Sequence, residues 1–336
     1  MKTAIYNGRG SVLLTQRPLP QPGSADILVR NLYASICDAD VAVYQHGPGT
    51  GHRITVGEEF GHEVVSQVVQ VGADVRGISV GDRVYPYPLL ARGDPSRAGT
   101  LGGFSEYLLI PGAQLGRQVY AVPDAIPSRT ACLIEPFTVG FRAARRAQPK
   151  RGEKAVVFGA GTIGIAAAIG LMYFGCEQVL VCDRSALRLD KAKNLGFAVC
   201  NVAQEDVQRI AMDCFGAAPS RFGPTADAAI YIDAAGADSI LEQYQSIGRI
   251  GSRMVVVAVR AGKRPVDVLE MTYSQHALIG SGGYFTEDVR DVLAAMESGR
   301  WDIGSIITHE FPWERLPEAI EQAARVDEAL NVVIRY

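Results

Sequence analysis

Paired cysteines are missing from this chain. Its six cysteines stand at 37, 132, 176, 182, 200 and 214, and no two form a Cys-x-x-Cys pair. That spacing argues against a disulfide framework and against a structural zinc held by four cysteines, and it predicts a cytoplasmic protein with mostly buried thiols. Long apolar runs are also missing. No stretch of 18 apolar residues occurs, and no basic segment leads into an apolar one, so neither a membrane span nor a secretory leader is expected. Charge of one sign is lacking too. With 33 basic and 36 acidic side chains the net charge is −3, which draws the chain neither to nucleic acid nor to an anionic membrane surface. There is no internal repeat and no low-complexity tract. What remains is an ordinary globular composition, 48% apolar and 21% charged, over 336 residues, a length that suits two domains.

The first third alternates short β-like runs with turn residues. Ile27–Arg30, Val64–Val71, Gly81–Tyr85 and Phe104–Ile110 read as strands of a small β-barrel-like domain, and the stretch from Leu89 to Gly103 reads as a loop. Near residue 125 the character changes. Arg129–Ala147 reads as a helix started by Pro127 and Ser128, and strands then alternate with helices. The strands are Ala155–Gly159, Val179–Asp183, Ala228–Ala234 and Met254–Val259; the helices are Ile163–Phe174 and Ala186–Leu195. That alternation predicts a parallel sheet covered on both faces, an α/β architecture. Two amphipathic segments, Asp288–Ser298 and Leu316–Ala324, follow in a tail too short for a third domain, which is expected to pack back onto one of the others.

Val156-Val157-Phe158-Gly159-Ala160-Gly161-Thr162-Ile163-Gly164 joins a strand to a helix through Gly-x-Gly-x-x-Gly. Gly159 permits the tight turn, Gly161 lets backbone approach a pyrophosphate, and Gly164 allows close helix–strand packing. The next strand ends in Asp183, near the spacing expected for a partner of a ribose 2′-hydroxyl. A carboxylate there repels a 2′-phosphate, so NAD is favoured over NADP, although Arg184 directly follows. The candidate cofactor residues are Gly159, Gly161, Thr162, Ile163, Gly164, Asp183, Arg184 and Arg188. The plain alternative is an ordinary strand–helix turn with a surface aspartate.

Cys37, His62 and Glu63 are residue types that zinc accepts. Judged on spacing alone, Cys37 is as well read as a core thiol and His62-Glu63 as a surface pair. A wider set of motifs bears on the choice. Ile36-Cys37-Asp38-Ala39-Asp40-Val41 with His46-Gly47, Gly61-His62-Glu63, Gly81-Asp82-Arg83-Val84, Gly102-Gly103-Phe104-Ser105-Glu106-Tyr107, Ile134-Glu135-Pro136-Phe137 and Ile307-Thr308-His309-Glu310-Phe311-Pro312 follow one another in order. In these stretches the chain resembles the zinc-dependent medium-chain dehydrogenase/reductase family, in its sorbitol and polyol dehydrogenase branch, over nearly its whole length.

The resemblance implies a GroES-like β-barrel catalytic domain (1–134, with a C-terminal return over 282–336) around a Rossmann NAD-binding domain (135–281). It implies that Cys37 and His62 are zinc ligands, that Glu63 ligates the metal or sits beside it, and that Glu135 takes the place of a cysteine ligand, directly or through water. One catalytic zinc per chain is expected and no structural zinc, because 85–103 holds no cysteine. The implied reaction passes a hydride from a secondary alcohol of a polyol, cyclitol, amino-cyclitol or sugar derivative to NAD, with a homodimer or homotetramer as the assembly and Ala277–Gly280 as its candidate sheet edge. Tyr44 and Tyr284 are substrate candidates; for Tyr284 an aromatic that merely fills a cleft is the alternative.

The family usually shuttles the alcohol proton through Ser or Thr two residues after the cysteine and His five after it. Here those positions are Ala39 and Ala42. Three explanations stand: a path through bound water and Glu135, or Asp38, Tyr44 or His46; a substrate carrying its own ionisable group, such as an amine; or loss of ordinary turnover. Asp38 also reads as a solvated loop acid and His46 as a surface histidine. Two other functions remain open: a zinc-free NAD(P)H quinone or enone reductase of the same superfamily, and a non-catalytic NAD-binding regulatory protein.

Overall fold

The strand Ile27–Ser35 organises the first half of the chain. It pairs antiparallel with Glu63–Val71, and the register sets Ser35 opposite Glu63. In the computed structural model, which describes residues 1–51, 53–91, 95–260 and 262–336, these strands belong to a seven-stranded sheet. Arg83–Pro86 and Val119–Ala121 extend it on one side, and Tyr107–Ile110 pairs with the first half of Ile27–Ser35. The expected run Val64–Val71 is thus a strand, and its first four residues, Glu63 to Ser66, are all buried. Covered on both faces there, the strand loses the polar–apolar alternation of a half-exposed sheet.

On its other side the sheet is completed from the far end of the chain. Asn331–Arg335 pairs antiparallel with Ile27–Ser35, and Ile307–Pro312 runs parallel to Asn331–Arg335. The helix Leu316–Ala323 buries Leu316, Ala319 and Ile320 in the same apolar core as Tyr6, Phe60 and Phe104. Part of the expected loop from Leu89 to Gly103 is helical, with an α-turn at Pro88–Ala91 and a 3₁₀ segment at Pro95–Thr100; residues 92–94 lie outside the described residues. Met1–Glu135, Met296–Gly299 and Ile303–Tyr336 form one compact unit.

The second unit comprises Pro136–Ala295 and Arg300–Asp302. Six parallel strands lie in the order 198–201, 178–183, 154–158, 230–233, 253–256, 277–280. Reversal of strand order between 154–158 and 230–233 makes the doubly wound arrangement that takes a dinucleotide at the carboxyl ends of the strands. Ala277–Gly280 is the last strand of this sheet. The helix Thr162–Tyr173 is buried on every side from Gly164 to Leu171, which explains its lack of amphipathic period. Apart from this sheet, Ala217–Ser220 and Gly223–Ala226 form a short antiparallel hairpin in which Pro219 stands opposite Pro224.

Residues 282–295, placed from the sequence in the C-terminal return, cluster with this second unit. Arg145 pairs with Asp288 (2.7 Å) and with Asp291, and Arg142 with Asp288 (3.8 Å), so charge partners on Ile134–Arg146 hold the helix Thr286–Glu297 there. Among the described residues no helix is long and apolar enough to cross a membrane.

Candidate active site

Cys37 lies two residues beyond the end of Ile27–Ser35, and Glu63 opens the paired strand. The Ser35–Glu63 register therefore carries both to one place. Cys37 is also the N-cap of the helix Asp38–His46. Its sulfur accepts from the Ala39 amide, and Asp40 returns the contact by accepting from the Cys37 amide at 3.2 Å. This reciprocal cap holds the cysteine at the helix start.

His62 is delivered by a crossing of two backbone segments. Gly61 has φ +85°, and a Cβ there would lie 2.7 Å from the Phe104 ring, so only glycine fits. The result is a cluster in which one ligand atom each from Cys37, His62 and Glu63 lie within 4.8 Å of one another. The His62 ring sits between two further acids: Nε2 is 4.0 Å from Glu135 Oε2, and Nδ1 is 4.0 Å from Asp40 Oδ1. Glu135 is 6% exposed and Asp40 fully buried.

Such a cluster is electrostatically incomplete without a cation. Burial, then Glu63, Asp40 and Glu135, push the Cys37 thiol well above its ordinary range. Burial and then Glu135 push Glu63 well above the carboxylate range, against hydrogen bonds from Ser35 and Cys37 that lower it. Glu63 Oε2 is buried with no hydrogen-bond partner among the described residues. A buried orphan acceptor beside sulfur and imidazole, surrounded by acids, is what a divalent cation would satisfy. The donor set therefore fits zinc, with Cys37, His62 and Glu63 as the residues that could hold it and Glu135 facing His62.

The remaining candidates of this unit lie differently. Asp38 and His46 are exposed, in the first and last turns of the helix. Tyr44 is buried, and its hydroxyl donates to Glu321 Oε1 at 3.2 Å. Over the two alanines lies the segment 47–51. Thr50 Oγ1 sits 2.9 Å from the Ala42 carbonyl, and a Cβ on Gly51 would be 2.2 Å from the Ala39 carbonyl oxygen.

In the second unit the glycine turn has the geometry its spacing predicts. Gly159, at φ +102°, donates its amide to the Cys182 carbonyl (2.7 Å). A Cβ on Gly164 would stand 1.8 Å from the Gly159 oxygen, so that helix and turn touch backbone to backbone. Asp183 holds the turn from the next strand: Oδ2 accepts from the Ala160 amide (2.7 Å) and Oδ1 from the Ser185 amide (2.8 Å). Gly161 caps the helix Thr162–Tyr173 without a side chain, which suits an anion at its N-terminus. Arg188 reaches back over it, with Nη1 3.5 Å from where a Gly161 Cβ would be. Thr162 and Ile163 are half-buried in the first helical turn, Arg184 is exposed, and Tyr284 is buried.

Sequence reasoning missed Asp40. Its signal was available: an acid three residues after Cys37 is capping-box spacing. Its facing of His62, however, depends on the fold.

Residues 23–124 match the alcohol dehydrogenase GroES-like domain, and residues 162–298 match the zinc-binding dehydrogenase family. The chain is 28% identical to sorbitol dehydrogenase of Bos taurus, over 96% of this chain and 92% of that protein. It is also 28% identical to L-threonine 3-dehydrogenase of Deinococcus deserti, over 90% of each. The crystal structure of 2R,3R-butanediol dehydrogenase from Bacillus subtilis superposes with a TM-score of 0.86 over 100% of this chain and 99% of that one, at 23% identity, a likeness of fold. The chain belongs to the zinc-binding medium-chain dehydrogenases. Within that family it is an NAD-dependent alcohol dehydrogenase.

Proposed function

We propose that the protein oxidises a secondary alcohol of a polyol, cyclitol, amino-cyclitol or sugar derivative to the ketone, passing the hydride to NAD in a zinc-dependent reaction. The observation that carries this reading is the cluster of Cys37, His62 and Glu63 donor atoms within 4.8 Å, with Glu135 4.0 Å from His62. A bound zinc supplies Lewis acidity toward the alcohol oxygen. The side chains have separable tasks. Cys37, His62 and Glu63 would hold the cation, while Glu135 lies 4.0 Å from the His62 Nε2 and Asp40 faces Nδ1 at the same distance, set to orient the imidazole. Asp183 receives the adenosine ribose hydroxyls while keeping the glycine turn closed through the Ala160 amide. Arg188 and the N-terminus of Thr162–Tyr173 meet the pyrophosphate.

Proton release lacks the usual hydroxyl and imidazole, since Ala39 and Ala42 carry neither. Support for Glu135 as the acceptor comes from its burial and its position 4.0 Å from the His62 Nε2. A substrate amine is the second route, and it draws support from likeness to L-threonine 3-dehydrogenase. One zinc per chain, a cytoplasmic location and a homodimer or homotetramer belong to the same reading.

Metal analysis of the purified protein combined with NADH formation across a polyol and amino-alcohol panel tests it. Stoichiometric zinc and turnover of a secondary alcohol are expected. Full activity in metal-free protein would sink the proposal.

A further inference from the structure

One turn of the first unit has its carbonyls held from three distant places. Asn31 donates its side-chain amide to the carbonyls of Gly103 (3.2 Å) and Ser105 (2.6 Å), and is itself fixed by the Ser66 hydroxyl (2.6 Å). Trp313 Nε1 donates to the Phe104 carbonyl (2.7 Å). The Tyr336 hydroxyl donates to the Gly103 carbonyl. Together these side chains satisfy carbonyls that would otherwise be costly to bury.

The turn so held is the wall behind His62. Gly103 donates its amide to the Gly61 carbonyl (2.8 Å), and Phe104 to that of Phe60 (3.0 Å). The approach is so close that a Cβ on Gly103 would lie 2.9 Å from the Gly61 carbonyl carbon and 3.1 Å from the His62 nitrogen. Any shift of Gly103 is therefore passed to the Gly61–His62 peptide. The Tyr336 ring packs against the core of the unit, and burial raises its phenol well above the ordinary range, so it stays a neutral donor.

We propose that Tyr336 is a positioning residue for His62: its hydroxyl holds the Gly103 carbonyl, and the Gly103–Gly61 hydrogen bond transmits that hold to the peptide aiming the imidazole at Cys37 and Glu63. The proposal rests on the reading of Cys37, His62 and Glu63 as a cation site. It adds a residue far from that site in sequence, acting through backbone alone.

The test uses Tyr336→Phe in the full chain, with Tyr6→Phe as the comparison. Tyr6→Phe removes a phenol hydrogen bond to the Val43 carbonyl (3.3 Å) in the same unit and leaves the turn untouched. Two quantities are measured: amide hydrogen exchange of the metal-free protein over 60–63 and 102–105, and Co²⁺ binding followed by its visible absorption bands. Tyr336→Phe is expected to speed exchange in both segments, to weaken Co²⁺ binding by roughly 10–100-fold, as for other outer-layer supports of metal ligands, and to shift the bands. Tyr6→Phe should change none of these. A lowered unfolding midpoint for Tyr336→Phe with parental exchange and a parental cobalt spectrum would make Tyr336 a structural residue only and overturn the proposal. If the parent protein takes up no Co²⁺, the cation reading fails, and exchange over 60–63 alone decides: faster exchange in Tyr336→Phe upholds the positioning role, and unchanged exchange overturns it.

Discussion

Replacing Asp40 by Asn should move cation affinity and metal-free stability in opposite directions. Asp40 is fully buried, and its two oxygens have different tasks. Oδ2 accepts from the Cys37 amide at 3.2 Å, and Oδ1 lies 4.0 Å from His62 Nδ1. An asparagine oxygen can keep the first contact, since Asn and Asp serve alike where a side-chain oxygen must accept from backbone. The second contact loses its charge. Two unit charges 4 Å apart at an effective dielectric near 20 attract by about 4 kcal/mol. Only part of a bound cation's charge appears at the Nδ1 proton, so the loss should fall in the range measured for such supporting carboxylates, about 10–100-fold in metal affinity, or about 1.4–2.7 kcal/mol. In the stripped protein the sign reverses. Asp40 is one of the acids that push Cys37 and Glu63 upward, so removing its charge relieves the cluster. Competition with a chromophoric chelator gives the affinity, and denaturant midpoints of the chelator-treated protein give the stability. A variant with parental zinc affinity, or one less stable than the parent when stripped, would refute this account of the site.

Two other outcomes follow from the same geometry. Gly164→Ala places a Cβ at 1.8 Å from the Gly159 oxygen, an overlap only backbone separation can remove; it should cost about 3 kcal/mol or more of stability and weaken NAD binding, read by chemical unfolding and by nucleotide titration. The pH dependence of the stripped protein has a definite sign: because Glu63 is raised in the folded state, the stability it contributes is complete below the ordinary carboxylate range and is lost as pH rises through its raised value. The unfolding midpoint without metal should therefore fall on raising the pH, and zinc uptake near neutrality should release protons, measurable in weakly buffered solution with an indicator dye.

How far the site was legible in the sequence differs between the two units. The glycine turn could be read because all its requirements are local. One continuous strand–turn–helix contains Gly159, Gly161 and Gly164, and the demands on them, a positive φ at Gly159 and backbone contact at Gly164, are properties of neighbouring residues. Asp183 ends the next strand, within the same unit of local structure.

The cluster of Cys37, His62 and Glu63 had no such local signature. Cys37 and His62-Glu63 read as ligands only through resemblance, because what joins them is the register of Ser35 with Glu63 between two strands. Strand pairing is non-local, and a slip of one residue would turn Glu63 to the other face. For the same reason Asp40 was not among the candidates although it faces His62, and nothing local to Tyr44 indicates that its hydroxyl donates to Glu321. The return of 307–312 and 331–335 to the first sheet, and the docking of Thr286–Glu297 through Arg145 and Asp288, were likewise decided by distant partners.

By itself, then, the sequence determined the glycine turn, the alternation that makes a parallel sheet, and the inventory of ligand-type side chains. Tertiary structure alone decided which of those side chains meet, and that a tyrosine at position 336 braces a histidine at position 62. Period and turn chemistry act over a few residues, whereas a site made by strand register and buried hydrogen bonds exists only once the segments that form it have been brought together.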